Sequence, residues 1–308
     1  MKKLLKYTTI ILINILLIVV IDIIAYATLS GTDWNFNFKE IIKNYKEHSR
    51  VVHFDELYNT LTSQDYFRNT IKETNKRPIL IFGCSFGYGY LLEENQSFGY
   101  KLSNLTNRSV FNHSISSQGI NYVPHILENY NLEEKIKNPE YIIFVFIQNH
   151  AYRFYRQIMD IREPYMEVTY KKQNNSIVET KIPYDFIYKS AIMRYINVKS
   201  RFSTYSKTDN DETFDLMKLL FIKAKNMVSE KFPNSKFVIL NYEESADDFF
   251  FKTERWKELE EEDIIVLNSY ALTNVHLSDE KYRVLNDPHP NEMAWDLLTP
   301  KIVEALNL

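Results

Sequence analysis

Three separated pieces of this 308-residue chain carry side chains that together could break an acyl bond. The first is Ser85, in Gly83-Cys84-Ser85-Phe86-Gly87, directly after the apolar run Ile79-Leu80-Ile81-Phe82. A strand that stops at a glycine and hands a serine to a tight turn puts that hydroxyl at its carboxyl end, where parallel α/β sheets bind ligands. A serine there also serves as an ordinary helix cap. What raises Ser85 to a candidate nucleophile is the second piece, Asn286-Asp287-Pro288-His289-Pro290-Asn291, directly before the last helical stretch. The prolines hold His289 in an extended loop, and Pro290 can open the helix. Asp287 is the nearest acceptor able to fix the imidazole tautomer that a general base needs. The third piece is Gln148-Asn149-His150, where the Asn149 amide can donate to an oxyanion formed beside Ser85 and His150 can touch substrate.

Those pieces converge only if the elements before them are parallel strands. Apolar, β-rich runs recur at Pro78 to Gly83, Ser109 to Ile115, Tyr141 to Ile147, Lys236 to Asn241 and Asp263 to Leu267. Most are continuously hydrophobic, which suits strands covered on both faces. Helical patterns intervene at Glu94 to Leu105, Asn121 to Tyr130, Thr213 to Lys231, Thr253 to Glu262 and Glu292 to Leu306. Right-handed crossovers turn this alternation into a three-layer α/β/α sandwich around a mostly parallel five-stranded sheet. An insertion between His150 and Glu212 is too long for an ordinary connection. It carries a hairpin pattern, Met166 to Tyr170 and Ile177 to Ile182 around Asn174-Asn175, and leaves from the rim expected to hold Ser85. A lid or a wall of the cleft is one reading of it, and a remote hairpin is the other.

The amino terminus reads differently. Lys2, Lys3 and Lys6 precede an apolar run from Thr8 to Ala27, interrupted only by Asn14 and Asp22. That is close to the roughly 20 residues a bilayer requires, and the lysines favour a cytoplasmic amino end. The competing reading is a signal peptide cut near Ala25-Tyr26-Ala27, for which the run is long. The expected organisation is a transmembrane anchor over 1–29, a helical stalk without strands over 30–76, and a catalytic domain over 77–308 interrupted by 150–212.

Composition removes several classes. A net charge of -3 leaves no basic footprint for nucleic acid. One cysteine forms no internal disulfide, and the seven histidines include no HExxH or Cys/His cluster, so neither a metal nor a cofactor is expected. The lysine of a phosphate-binding loop is missing after Gly87 and Gly89. Cys84 should point away from Ser85 into the core. His113 reads as strand-end scaffold and His125 as a partly exposed helix residue. Glu243 and Glu244 end the fourth strand on the ligand side without an assigned catalytic role.

Taken in order, the blocks resemble the SGNH (GDSL-type) hydrolase superfamily over nearly all of Arg77 to Leu308. Gly83-Cys84-Ser85-Phe86 looks like its first block, with cysteine where many members have aspartate, and Ser85 falls on the nucleophile. Asn112 to Gly119 looks like the second block, whose glycine lends a backbone N–H to the oxyanion hole; Ser117 falls on that position and Gly119 comes two residues later, a candidate substrate contact. Asn149 falls on the third-block asparagine, with His150 replacing the usual aspartate. In the last block Asp287-Pro288-His289 is one residue shorter than the common spacing, which would put Asn286 at the aspartate position. The resemblance implies a flavodoxin-like sheet and metal-free esterase or acyltransferase chemistry on an acylated glycan or other small ester. Gly83-Cys84-Ser85-Phe86-Gly87 also satisfies the G-x-S-x-G elbow of α/β-hydrolases. That fold, however, builds several strands before its serine and separates its acid from its histidine. A glycan-binding protein with a degraded site is the non-catalytic alternative.

Overall fold

The computed structural model describes residues 2–29, 66–153, 165–166, 168–174, 176–181, 210–243 and 245–308, with short pieces between 41 and 61 and between 190 and 196. The chain divides into two compact units: Met1–Leu57 with Arg156–Glu167 and Lys181–Asp209, and Tyr58–Tyr155 with Val168–Thr180 and Asn210–Leu308.

In the first unit the apolar run forms helix α1, Lys2–Leu29. Its stretch Tyr7–Thr28 is long and apolar enough to cross a membrane, with a mean hydropathy of 2.8. Most of its large side chains, from Ile10 to Ile24, stand exposed, unlike those of a helix in a soluble core. Towards its carboxyl end Asp22 is 5% exposed, and Tyr26 and Ala27 are buried with it. Val51–Val52 pairs in parallel with Tyr165–Met166, so a strand occurs inside the region expected to hold none. Much of the stalk expected over 30–76 lies outside the described residues.

The second unit is the sheet domain. Its strands are β1 (Ile79–Gly83), β2 (Val110–Asn112), β3 (Tyr141–Phe146), β4 (Lys236–Asn241) and β5 (Ile265–Asn268). They lie in the order β2-β1-β3-β4-β5, and every neighbouring pair is parallel. This is the doubly wound flavodoxin-like order, whose direction reverses at β1 and opens a crevice beyond its carboxyl end. The principal helices are α2 (Ser85–Tyr88), α3 (Phe98–Thr106), α4 (Tyr122–Asn129), α5 (Gln148–Arg153), α6 (Asn210–Lys231) and α7 (Glu292–Leu306). Helices α3 and α7 pack together, as do α4 and α6.

Alternation along the strands assigns the two faces. Ile79, Ile81, Ile143, Val145, Val238 and Leu240 join Phe98, Leu102, Trp295 and Leu298 in one cluster, on the side of α3 and α7. Phe144 and Phe146 meet Phe221 of α6 at ring separations of 5.8 and 5.9 Å on the other. The unit begins at Tyr58 and not at Arg77, because Thr70 bridges to Val110 in antiparallel fashion and covers the free edge of β2.

The hairpin forms from Val168–Gln173 and Ser176–Lys181, with Asn174 at φ 57° in its turn. Glu179 accepts from the Tyr170 hydroxyl at 3.2 Å and shares a 3.0 Å bond with His125 Nδ1, while Lys223 of α6 lies over the Tyr170 ring. These contacts put the hairpin on α4 and α6. His125 is accordingly 7% exposed, a correction to the partly exposed helix position read from the sequence. Most of the remaining insertion, on which a lid would depend, lies outside the described residues.

Two histidines are sealed into this domain. Burial pulls His113 down to about 3, with Lys135 adding to the effect. Burial also pulls His150 well below its usual range, with Arg153 adding. Below an ordinary pKa of about 6.5 the unfolded chain takes up protons that the folded chain refuses, so stability falls as pH drops from there, by up to ~1.4 kcal/mol per pH unit for His113 until about 3, with His150 acting in the same direction. Thermal unfolding followed by near-ultraviolet circular dichroism should show this decline. The His113→Phe variant should show a shallower one, and an unchanged slope would contradict the assignment.

Candidate active site

All five strands run the same way, so the turns that leave their carboxyl ends gather along one edge of the sheet. Ser85 begins α2 immediately after β1, with Cys84 fully buried as expected. The turn is closed by Gly89 in the left-handed region at φ 79°, whose N–H reaches back to the carbonyls of Ser85 and Phe86. The Tyr122 hydroxyl accepts from the Gly83 N–H at 2.9 Å and lies 3.1 and 3.2 Å from the carbonyls of Gly83 and His113. It therefore ties the nucleophile turn to the loop after β2.

His289 arrives from the loop between β5 and α7. Its Nε2 lies 2.7 Å from Ser85 Oγ, so a neutral imidazole can accept the serine proton there. Its Nδ1 is bonded to Asp287 Oδ1, and the same oxygen accepts the His289 backbone N–H at 2.9 Å. Asp287 thus fixes the proton on Nδ1 and leaves the Nε2 lone pair facing serine. Partial burial opposes the Asp287 charge, but the bonds from the His289 backbone and ring outweigh it and hold the carboxyl below its usual range. The contribution of this contact to stability is therefore complete above the ordinary aspartate pKa and is lost only as pH falls through the lower, folded-state value. Asn286, the other candidate orienter, occupies a left-handed turn position at φ 60°.

The loop is held from both sides. Arg283 pairs with Pro290 across it, Val284 N–H donates to the His289 carbonyl at 2.9 Å, and Asn291 Nδ2 donates to the carbonyls of Lys281 and Arg283, each at 2.8 Å. Asn291 Oδ1 also caps α7 by accepting the Ala294 N–H, so Pro290 precedes the cap instead of opening the helix. Further back, the fully buried Glu243 accepts from Leu277 N–H at 3.2 Å and contacts His276 and Ser278. It anchors the start of the loop, whereas Glu244 lies outside the described residues.

Ser117 and Asn149 are both partly exposed on this edge. Ser117 sits at φ 64°, within a turn closed by Gln118 N–H to Ile115 O at 3.1 Å. It keeps the left-handed backbone that glycine adopts freely and other residues adopt at a cost of roughly 1 to 2 kcal/mol. Asn149 lies in the first turn of α5. Its neighbour His150 does not meet the expectation of substrate contact: the ring is fully buried beside Phe144 and Phe146, and Nδ1 accepts the Ile147 N–H at 3.4 Å. Gly119 is also buried, and a Cβ there would stand 3.1 Å from Asn121 Oδ1 and 3.3 Å from Arg153 Cβ. It is a packing glycine, which excludes it as a substrate contact.

Three positions escaped the sequence reading. Tyr122 carried no motif, Arg153 reaches the Gln118 carbonyl at 2.6 Å from one turn beyond Asn149, and Tyr90 places its ring 5.0 Å from that of His289. Phe86 flanks the imidazole at the same separation. Only the helical spacing of Asn149 and Arg153, four apart and so on one face, was available as a signal for any of them. Among the described residues no group of three or more His, Cys, Asp or Glu side chains could hold a metal ion.

No family model matches the chain, and no curated protein matches it. Solved structures similar to it include a member of the lipolytic protein G-D-S-L family from Veillonella parvula, with 13% identity, a TM-score of 0.45, and coverage of 75% of this chain and 99% of that one. An acetyl xylan esterase from Butyrivibrio proteoclasticus shows 12% identity and a TM-score of 0.43, over 76% of this chain and 64% of its own. A psychrotrophic esterase from Pseudoalteromonas sp. shows 11% identity and a TM-score of 0.42, over 75% and 97%. The chemistry attributed to the site rests on its own geometry.

A Cβ on Gly87 would stand 2.6 Å from Ser114 Oγ and 3.3 Å from Val145 Cβ. Overpacking of this kind costs typically about 1 to 3 kcal/mol. Gly87→Ala should therefore lower the unfolding midpoint and displace Ser85 from His289. Calorimetry together with a crystal structure checks both, and an unshifted Ser85 with full stability would refute this packing account.

Proposed function

We propose that the chain is a membrane-anchored serine esterase of the SGNH type that removes O-acyl groups, chiefly acetyl, from a cell-envelope carbohydrate, with its sheet domain outside the cytoplasm. The observation that carries this reading is the continuous relay from Asp287 through His289 to Ser85, with 2.7 Å between Nε2 and Oγ. Ser85 Oγ attacks the ester carbonyl as its proton passes to His289 Nε2. The tetrahedral oxyanion is held by the backbone N–H groups of Ser85 and Ser117 and by the Asn149 amide. His289 then protonates the departing sugar hydroxyl, and water, deprotonated by the same nitrogen, releases the acyl group from Ser85.

The setting supports a large substrate. The side chains of His289 and Asp287 are 17% and 28% exposed, so the relay lies near the surface instead of at the foot of a tunnel. Tyr90, 45% exposed beside His289, offers an aromatic face of the kind on which a sugar ring stacks. Helix α1 supplies the tether.

A fluorophosphonate should modify Ser85 in the folded protein, with loss of the adduct in Ser85→Ala and His289→Ala; no adduct on Ser85 would favour a glycan-binding protein over an enzyme. Incubating the wild type with an acetylated oligosaccharide, with and without an unacetylated acceptor glycan, should release acetate in both cases. Acetate that appears only on the acceptor would make the protein a transferase.

The roles within the site separate by substitution. Asn149→Ala should cost about 100- to 1,000-fold in kcat. Asp287→Asn should cost on the order of 10,000-fold by favouring the wrong tautomer. Asn286→Ala and Ser117→Ala should remain within about tenfold of wild type, since no relay passes through the first and the second donates through its backbone. A larger loss in Asn286→Ala than in Asp287→Asn would transfer the orienting role to Asn286.

A further inference from the structure

Asp22 is a carboxylate in an otherwise apolar helix, yet it is 5% exposed. Its partners come from the insertion: Ser190 Oγ donates to Oδ1 at 2.7 Å, Ala191 N–H to Oδ2 at 2.9 Å and Ile192 N–H to Oδ1 at 3.2 Å. Ser190 Oγ in turn accepts the Met193 N–H at 3.3 Å. Tyr26, Ala191 and Tyr195 pack into a small apolar cluster beside this contact. Met193 and Ile196 remain 39% and 51% exposed.

The depth of the contact identifies what faces those exposed side chains. Asp22 lies six residues before the end of the span Tyr7–Thr28. At a rise of 1.5 Å per residue this is about 9 Å inside it. That depth falls in the range of roughly 5 to 10 Å to which amphipathic helices lying in the membrane plane bury their apolar faces. The sequence around the contact has the matching composition. From 184 to 202 it carries five aromatic residues and the four cations Lys189, Arg194, Lys199 and Arg201 against the single acid Asp185.

From this we infer that Ser190–Met193, Tyr195 and Ile196 lie in the headgroup layer of the bilayer crossed by α1, pinned there by Asp22 and facing anionic phospholipid. The inference rests on the anchor reading of α1. A lone carboxylate within a span is costly, and three donors from a segment that is itself interfacial offset that cost. The first unit then has a second attachment to the membrane besides α1.

The test uses the full-length protein in vesicles of phosphatidylcholine and phosphatidylglycerol, with Met193→Cys labelled by an environment-sensitive fluorophore; the buried Cys84 stays unlabelled in the folded chain. A blue shift, quenching by nitroxide placed at headgroup level and protection from aqueous iodide are expected. Weaker quenching is expected when phosphatidylglycerol is omitted. In Asp22→Ala the quenching should be lost, and in Asp22→Asn, whose amide oxygen still accepts, it should be partly retained, with circular dichroism reporting the fold of each variant. A second probe at Ile13→Cys reads the anchor through deep nitroxide. If that probe is quenched while the Met193 probe stays open to iodide, the interfacial segment is refuted and the anchor stands. If neither is quenched, both fall. A Met193 probe shielded from iodide but unquenched by lipid nitroxide would indicate a protein partner and overturn the lipid assignment. Full quenching in Asp22→Ala would remove Asp22 from the account, and equal quenching without phosphatidylglycerol would remove the preference for anionic lipid.

Discussion

The two glycines that flank the Cys84-Ser85 turn are closely packed, and the position of Ser85 depends on that tightness. A Cβ on Gly83 would stand 3.1 Å from Val145 Cβ and 3.3 Å from Ser114 Oγ, and one on Gly87 would stand 2.6 Å from the same hydroxyl. Three segments from the ends of β1, β2 and β3 therefore interlock through two glycines. The Tyr122 hydroxyl, bonded to the N–H of Gly83, closes the arrangement from the side of α4. A serine held in this way has its position set by backbone packing, which is less compliant than a side-chain rotamer.

His289 has to reach Ser85 from 204 residues away in the chain. The energetic difficulty is less the distance, because closure entropy grows only slowly with loop length, than the orientation of the final residues. That orientation comes from redundant backbone bonds. The Arg283–Pro290 pair and the Asn291 amide fix the base of the loop, and Glu243 fixes its start. Asn291 works in two directions, capping α7 through its oxygen and gripping the loop through its nitrogen. The last helix and His289 are consequently one mechanical unit, and Trp295, packed at 4.8 Å on Phe98 of α3, seats that unit on the sheet.

Much of this was legible in the sequence, for reasons that differ by element. Strands β3 and β4 appear as uninterrupted apolar runs because both of their faces are covered, and their starts and the extent of β4 match the reading. Helix α7 was bounded in full, Glu292 to Leu306, although the sequence offered Pro290 as its opening and the cap is Asn291. The short Asp287-Pro288-His289 spacing suffices because one carboxylate oxygen serves both the ring and the backbone of His289. What the sequence hid depends on tertiary placement. His150 comes after a strand, as a substrate-contacting residue would, but the turn of α5 rotates its ring between Phe144 and Phe146. His125 is covered by a hairpin some fifty residues distant in the chain, which helical periodicity does not encode. The two-residue strand Val51–Val52 is too short to show any period and exists through its partner Tyr165–Met166.

The surroundings of His289 distinguish its two charge states. The rings of Phe86 and Tyr90 each lie 5.0 Å from the imidazole, at interplanar angles of 46° and 55°. In the proposed reaction the serine proton arrives at a ring flanked in this way. Two features favour the charge it brings. The π-electron faces of aromatic rings attract a cation where they are presented to it, and Asp287, bonded to Nδ1 and held below the usual carboxylate range, is already ionised at the moment the imidazole becomes charged. Both interactions strengthen on protonation, the Asp287 bond from one already made to the neutral ring. Stabilisation that grows with the charge developing in the reaction lowers the barrier, whereas contacts equally strong before and after would leave it unchanged.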